Sequence, residues 1–158
     1  MQFFTVEKIQ KLLPELKQAI YRETLPIPGF RFMEGHAPGY EQPEIDDAGW
    51  REFAVGERWG GYDIISWFRA TVEIPPAWRD QHVYIRLLAG GRDGGDSAAE
   101  SLLFVDGAPL QGFDIWHEEA WLPPELLRRG RLRLALKAWS GVLGVPPQRQ
   151  LKLAQLGL

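Results

Sequence analysis

The 158-residue chain contains no cysteine. That excludes disulfides, thiolate metal sites and a cysteine nucleophile, and it fits a reducing compartment. No apolar run approaches the roughly 20 residues of a membrane span. Met1-Gln2-Phe3-Phe4 has neither the basic nor the apolar region of a signal peptide. The formal net charge is only −3, so electrostatics make no case for nucleic acid or an anionic membrane as partner. The expectation is a soluble, cytoplasmic chain.

What is present is an ordinary globular balance, 45% hydrophobic and 25% charged, with an unusual seven Trp. The length suits one domain able to bury a core without covalent help. Indole rings serve cores and interfaces, and they also serve as sugar-stacking platforms. Residues 5–22 are predicted helical. Ile9, Leu12, Leu13, Leu16 and Ile20 recur at three- and four-residue intervals as one apolar stripe, with Thr5 as N-cap. Pro14 falls inside the pattern and predicts a kink, or the end of one helix and the start of another. The stripe would dock on its own domain or on a separate one. Residues 24–49, with Pro26, Pro28, Gly29, Pro38, Gly39 and Pro43, read as an irregular connector. The expected division is therefore a helical segment and connector over 1–49 and a β-sandwich over 50–158.

From Trp50 onward the period is two. Phe68, Ala70, Val72 and Ile74 alternate with Trp67, Arg69, Thr71 and Glu73, and Pro75-Pro76 ends that strand. Trp67 and Arg69 then pack on the second sheet or face outward, and alternation alone leaves both open. Val83, Ile85 and Leu87 repeat the pattern, as do Leu102 and Phe104 against Leu103 and Val105. Leu132, Leu134 and Leu136 alternate with Arg131, Arg133 and Lys137. Asp106-Gly107 signals a hairpin, and Pro123 to Gly130 a single helical turn closed by glycine. Gly90 to Asp96 reads as a flexible loop, and Leu151 to Leu156 as a further strand. Short strands with polar turns predict an antiparallel sandwich.

One ordered set of residues says more. It runs from Trp50 through Trp59-Gly60-Gly61-Tyr62-Asp63, Trp67-Phe68-Arg69 and Ile74-Pro75-Pro76-Ala77-Trp78 to Glu100-Ser101-Leu102-Leu103-Phe104-Val105-Asp106-Gly107. It closes on Gln111-Gly112-Phe113-Asp114-Ile115-Trp116-His117-Glu118-Glu119. Over residues 45–125 this resembles the N-terminal β-sandwich domain of glycoside hydrolase family 38 α-mannosidases, of the bacterial and cytosolic-vacuolar type. A looser likeness extends to the sugar-binding jelly rolls at the N-terminus of β-galactosidase-type enzymes. The Gln-Gly-x-Asp-x-x-His-x-Glu segment favours the mannosidases. The resemblance implies a mainly β fold, a jelly-roll, galactose-binding-like sandwich preceded by one or two helices. It also implies a parent enzyme whose zinc lies in a catalytic barrel beyond Leu158, which makes the chain a fragment by this reading.

The family's barrel motif has a His and an Asp one residue apart. None of His36, His82 and His117 has Asp or His two positions on, so no catalytic residue is expected here. Asp114, His117 and Glu119 match the family segment. They offer three readings: a metal or acid–base group, a hydrogen-bonded cluster that fixes a loop, or an edge facing the barrel. Trp59, Tyr62, Trp67, Trp116 and Trp121 join them as aromatic candidates for sugar or interface contact, while Trp50 and Trp78 suit core lids. Asp93 and Asp96 are candidate calcium ligands, and no other cofactor is expected. The expected role is a non-catalytic domain that supports the barrel and walls its cleft, with a possible homo-oligomer contact. The alternative is an autonomous carbohydrate-binding module, and the third reading a small enzyme using Asp114 and His117.

Overall fold

The computed structural model describes residues 5–89, 99–142 and 149–158. Helix α1 (Thr5–Gln18) continues through Pro14 as one element, so no second helix starts there. The ring removes one backbone donor. Because α1 is exposed along its length, the carbonyl left without that donor meets water instead of a core. Ile9, Leu12, Leu16 and Ile20 are 53, 50, 63 and 62% exposed, and the stripe docks nowhere on the described sandwich.

The strands are β1 (Thr24–Pro26), β2 (Gly29–Glu34), β3 (Arg51–Ala54), β4 (Arg58–Trp59), β5 (Ile65–Glu73), β6 (Val83–Leu88), β7 (Glu100–Val105), β8 (Ala108–Phe113), β9 (Glu119–Leu122), β10 (Arg131–Trp139), β11 (Arg149–Gln150) and β12 (Leu153–Gly157). A six-stranded sheet, in the order β3-β2-β5-β10-β7-β8, faces a four-stranded sheet, β1-β12-β6-β9, and β4 pairs with β11. The described pairings are antiparallel throughout.

Two strands come from the segment expected to be an irregular connector, so the sandwich takes up chain from Thr24, well before Trp50. The signal existed but was short. Phe30 and Phe32 are buried and alternate with Arg31 and Met33, over too few positions to stand out beside the prolines. Pro26 is tolerated because β1 is an edge strand, where a missing donor breaks no inner ladder. The turn signals were stronger. Asp106 and Gly107 have φ of 49° and 83°, the left-handed pair of a tight hairpin. Helix α2 (Pro124–Arg129) ends on Gly130 at φ 75°, where a Cβ would lie 2.6 Å from an Arg79 guanidinium nitrogen.

The core lies between the sheets. Leu103, Val105, Leu132, Leu134 and Leu136 meet Val83, Ile85, Leu87, Leu122 and Leu156, all of them buried. At one end Phe68 is ringed by Phe30, Phe32, Phe53 and Trp59, at centroid distances of 6.1, 4.9, 5.0 and 5.3 Å.

A second, smaller cluster lies outside the six-stranded sheet. Residues 35–50 cross its outer face as a strap, laying Tyr40, Ile45 and Trp50 over Trp67 and Ala135. Arg69, on the same face, is only 3% exposed. It is held by Asp47 Oδ2 at 2.9 Å and donates to the Tyr40 carbonyl at 2.5 Å. Trp67 and Arg69 thus face away from the second sheet yet are buried. No helix among the described residues is long and apolar enough to cross a membrane.

Candidate functional site

The Gln111–Glu119 segment carries the chain from the six-stranded sheet to the four-stranded one. Phe113 ends β8 in the core, Glu119 begins β9, and Asp114 governs the five residues from 114 to 118 between them. Its Oδ1 accepts from the backbone N–H of Trp116 (2.7 Å) and of His117 (2.8 Å), and lies 2.9 Å from His117 Nδ1. Asp114 N–H in turn donates to the His117 carbonyl at 3.2 Å. A short acidic side chain is what this turn requires, since it satisfies neighbouring donors that no strand reaches. Gln111 Nε2 donates to the Glu119 carbonyl at 2.6 Å, tying β8 to β9.

The geometry gives the loop-fixing reading of Asp114 and His117. Glu119 does not complete a triad with them, because its carboxylate faces Arg86, 3.2 Å away on β6. Among the described residues no three His, Asp or Glu side chains converge as a metal site needs. The divalent-metal reading of Asp114, His117 and Glu119 therefore finds no converging ligand set in this segment. What the clip does is present Trp116, which is 72% exposed, on an ordered turn.

The backbone bond from Trp116, with those from His117, holds the Asp114 carboxyl below its ordinary value. The folded carboxyl therefore titrates below the unfolded one. The clip contributes fully above the ordinary Asp range and is lost as pH falls through the lowered value. The amide shifts of Trp116 and His117 are expected to titrate together below the ordinary Asp midpoint and to be flat in Asp114→Asn. Two-dimensional NMR would check this, and a midpoint at the ordinary value would contradict it.

Trp121 is 44% exposed and lies opposite Tyr84, 36% exposed, across β9 and β6 on the outer face of the four-stranded sheet. The next outward pair is Glu119 with Arg86. Tyr21 packs there too, its ring 5.3 Å from the Arg86 guanidinium and over Gly157, where a Cβ would lie 2.2 Å from the ring. Burial, reinforced by the Glu119 carboxylate, raises the Tyr21 hydroxyl well above the ordinary phenol range.

The remaining candidates divide. Trp59 is 4% exposed and stands edge-on to Phe68, so it is a core residue and is withdrawn as a stacking platform. The reason is its place on β4, which β11 pins against the end of the sandwich. Trp50 and Trp78 are buried as lids, and Trp78 Nε1 donates to Glu23 at 3.3 Å. Tyr62 is exposed, on a loop tied to the end of β10. Ser140 Oγ donates to the Gly61 carbonyl at 2.6 Å and accepts from Ile64 N–H at 3.0 Å. Asp93 and Asp96 lie outside the described residues. One residue was missed: Trp139 sits beside Glu100 on the outer sheet face and donates from Nε1 to Asp63 Oδ1 at 2.8 Å. Strand parity had the signal, since Leu132, Leu134, Leu136 and Ala138 point in and Lys137 and Trp139 must therefore point out.

Residues 32–133 match the family model described as the α-mannosidase jelly roll domain, Ams1-like. No match was found among curated proteins. Among solved structures, a calcium-binding mutant of Bacteroides uniformis β-glucuronidase 2 is similar at 12% identity and a TM-score of 0.64, over 85% of this chain and 17% of that one. A β-glycosidase from Bacteroides vulgatus is similar at 19% identity and a TM-score of 0.60, over 86% and 20%. A β-glucuronidase from Ruminococcus gnavus aligns at 11% identity and a TM-score of 0.61, over 88% and 30%. At such identities the likeness is one of fold, and the chain spans less than a third of each of these proteins.

Proposed function

This chain belongs to the Ams1-like α-mannosidase jelly roll domain family, and from that premise we propose that it is a non-catalytic N-terminal domain of an α-mannosidase-like glycoside hydrolase. In this reading it docks on a zinc-dependent catalytic barrel and places the Asp114–Glu119 turn, with Trp116, at the wall of the cleft. The observation that carries the proposal is the apolar stripe of α1. The sandwich core is closed without it, yet Leu12, Leu16 and Ile20 are 50, 63 and 62% exposed. An amphipathic helix keeps such a stripe when another surface covers it.

The isolated chain is expected to turn over no aryl α-mannoside, with or without added zinc. Turnover by rigorously purified protein, abolished in His117→Ala, would overturn the non-catalytic role. In a chain joined to its catalytic domain, Leu12→Glu/Leu16→Glu is expected to loosen that domain while leaving the melting of the sandwich unchanged.

A second reading, an autonomous carbohydrate-binding module, is favoured by one observation. Tyr84 and Trp121 form an exposed cross-strand aromatic pair on a sheet face. Sugar binding by the isolated chain, localised to that pair, would support it.

A further inference from the structure

Among the described residues, the strap does not reach one end of the outer six-stranded face. A groove of about 280 Å³ lies there, lined by Ile65, Glu100, Leu102, Lys137 and Trp139. Its volume is close to the lower limit of small-molecule sites. The strand register sets the side chains next to one another. Trp139 lies between Ile65 and Glu100, and Lys137 lies beside Leu102. A larger hollow of about 540 Å³ beside the strap is a poorer candidate, because its charged groups already have partners. There Arg31 pairs with Glu52 at 3.3 Å, and Glu57 accepts from the Ala54 N–H at 2.6 Å.

The smaller groove has an ordered aromatic wall. The bond from Trp139 Nε1 to Asp63 fixes the plane of the indole, and Asp63 is itself anchored through its N–H on the Gly141 carbonyl at 2.9 Å. A ring locked in this way loses little freedom when a ligand stacks on it. Leu102, 36% exposed, extends the apolar surface. Lys137 and Glu100 supply one cation and one anion to the lining, with the Asp63 carboxylate behind the indole and the Lys137 ammonium 5.8 Å from the Trp67 ring centroid. An ammonium donates to a hydroxyl oxygen and a carboxylate accepts a hydroxyl proton. A ligand with several hydroxyls and an apolar C–H face for the indole satisfies both groups.

We propose that this groove binds a neutral pyranose unit of a glycan, stacked on Trp139 with its hydroxyls between Lys137 and Glu100. The inference goes beyond the docking role and uses neither α1 nor the Asp114 turn. Failure of the helix variants leaves it standing, and its own failure leaves docking standing.

The test is an NMR titration of the isolated ¹⁵N-labelled chain with methyl α-D-mannopyranoside, and with a methyl glucuronoside as the charged comparison. The mannoside is expected to shift the Trp139 indole N–H with a Kd on the order of 1 mM. Lys137→Ala and Glu100→Gln are each expected to weaken binding roughly tenfold, as loss of a charge-assisted hydrogen bond does. Both leave the Trp139–Asp63 bond intact, which Trp139→Ala would not. The proposal is overturned if the indole does not move, if the shifts fall on Tyr84 and Trp121 instead, or if both variants bind as well as the parent. Equal binding of the glucuronoside overturns the neutral-ligand assignment.

Discussion

Replacing Phe68 by alanine is expected to destabilise the domain by about 3–5 kcal/mol, the range for truncating a fully buried aromatic. Phe68 is 0% exposed, and its four aromatic neighbours come from β2, β3 and β4. Each of those strands is tied to its own pairing partner, so the walls cannot collapse into the space a lost ring leaves. The edge-on geometry adds about 0.5–1.5 kcal/mol per aromatic pair beyond the buried area. Domains of this kind are stable by only about 5–15 kcal/mol in total. The variant should therefore unfold at a much lower urea concentration with an unchanged m-value. Ile9→Ala on α1 is expected to stay within about 0.5 kcal/mol of the parent, as exposed positions do. Equal effects at the two positions would mean that the helix stripe is part of the core after all.

The second large effect is expected at the strap. Asp47→Ala leaves the Arg69 guanidinium buried with the Tyr40 carbonyl and the Trp50 ring, 5.9 Å away, as its remaining contacts in that segment. Breaking a buried pair from one side costs about 3–5 kcal/mol, because a charge is left without compensation. Asp47 keeps 26% side-chain exposure, so water can partly replace it, and we expect about 3 kcal/mol. The strap should loosen over Trp50 and Trp67, shifting their fluorescence to the red before global unfolding. Asp47→Ala/Arg69→Met removes both charges and is expected to recover most of the loss. If Asp47→Ala alone falls within about 0.5 kcal/mol of the parent, the pair is no clamp.

The strands that the sequence made legible are those long enough for alternation to repeat. Both β5 and β10 show it over nine residues, and their inward sets are as alternation predicts. Strand β1 was lost because three residues show too few periods, and β2, though as long as β6 and β7, because it lies among Pro26, Pro28 and Pro38, which read as a connector. The Asp114 turn was legible as chemistry, since a carboxylate and an imidazole three residues apart can meet within one turn. Its neighbour Glu119 was not, because its partner Arg86 comes from another strand.

By itself, then, the sequence determined the fold class, the inward faces of the long strands, the hairpin at Asp106-Gly107, the glycine end of α2 and the kinship with the α-mannosidase jelly rolls. Each rests on relations within a few residues, or on an ordered pattern that backbone geometry reads directly. Only the tertiary structure decided which outward faces are covered. Trp59 and Trp116 look alike in sequence, yet one is enclosed and the other is 72% exposed. Trp67 and Trp139 both point out from one sheet face, but the strap buries the first and leaves the second to line a groove. Arg69 meets Asp47 across 22 residues of chain. Burial of that kind depends on which distant segment is laid over a face, and no period within a strand encodes it.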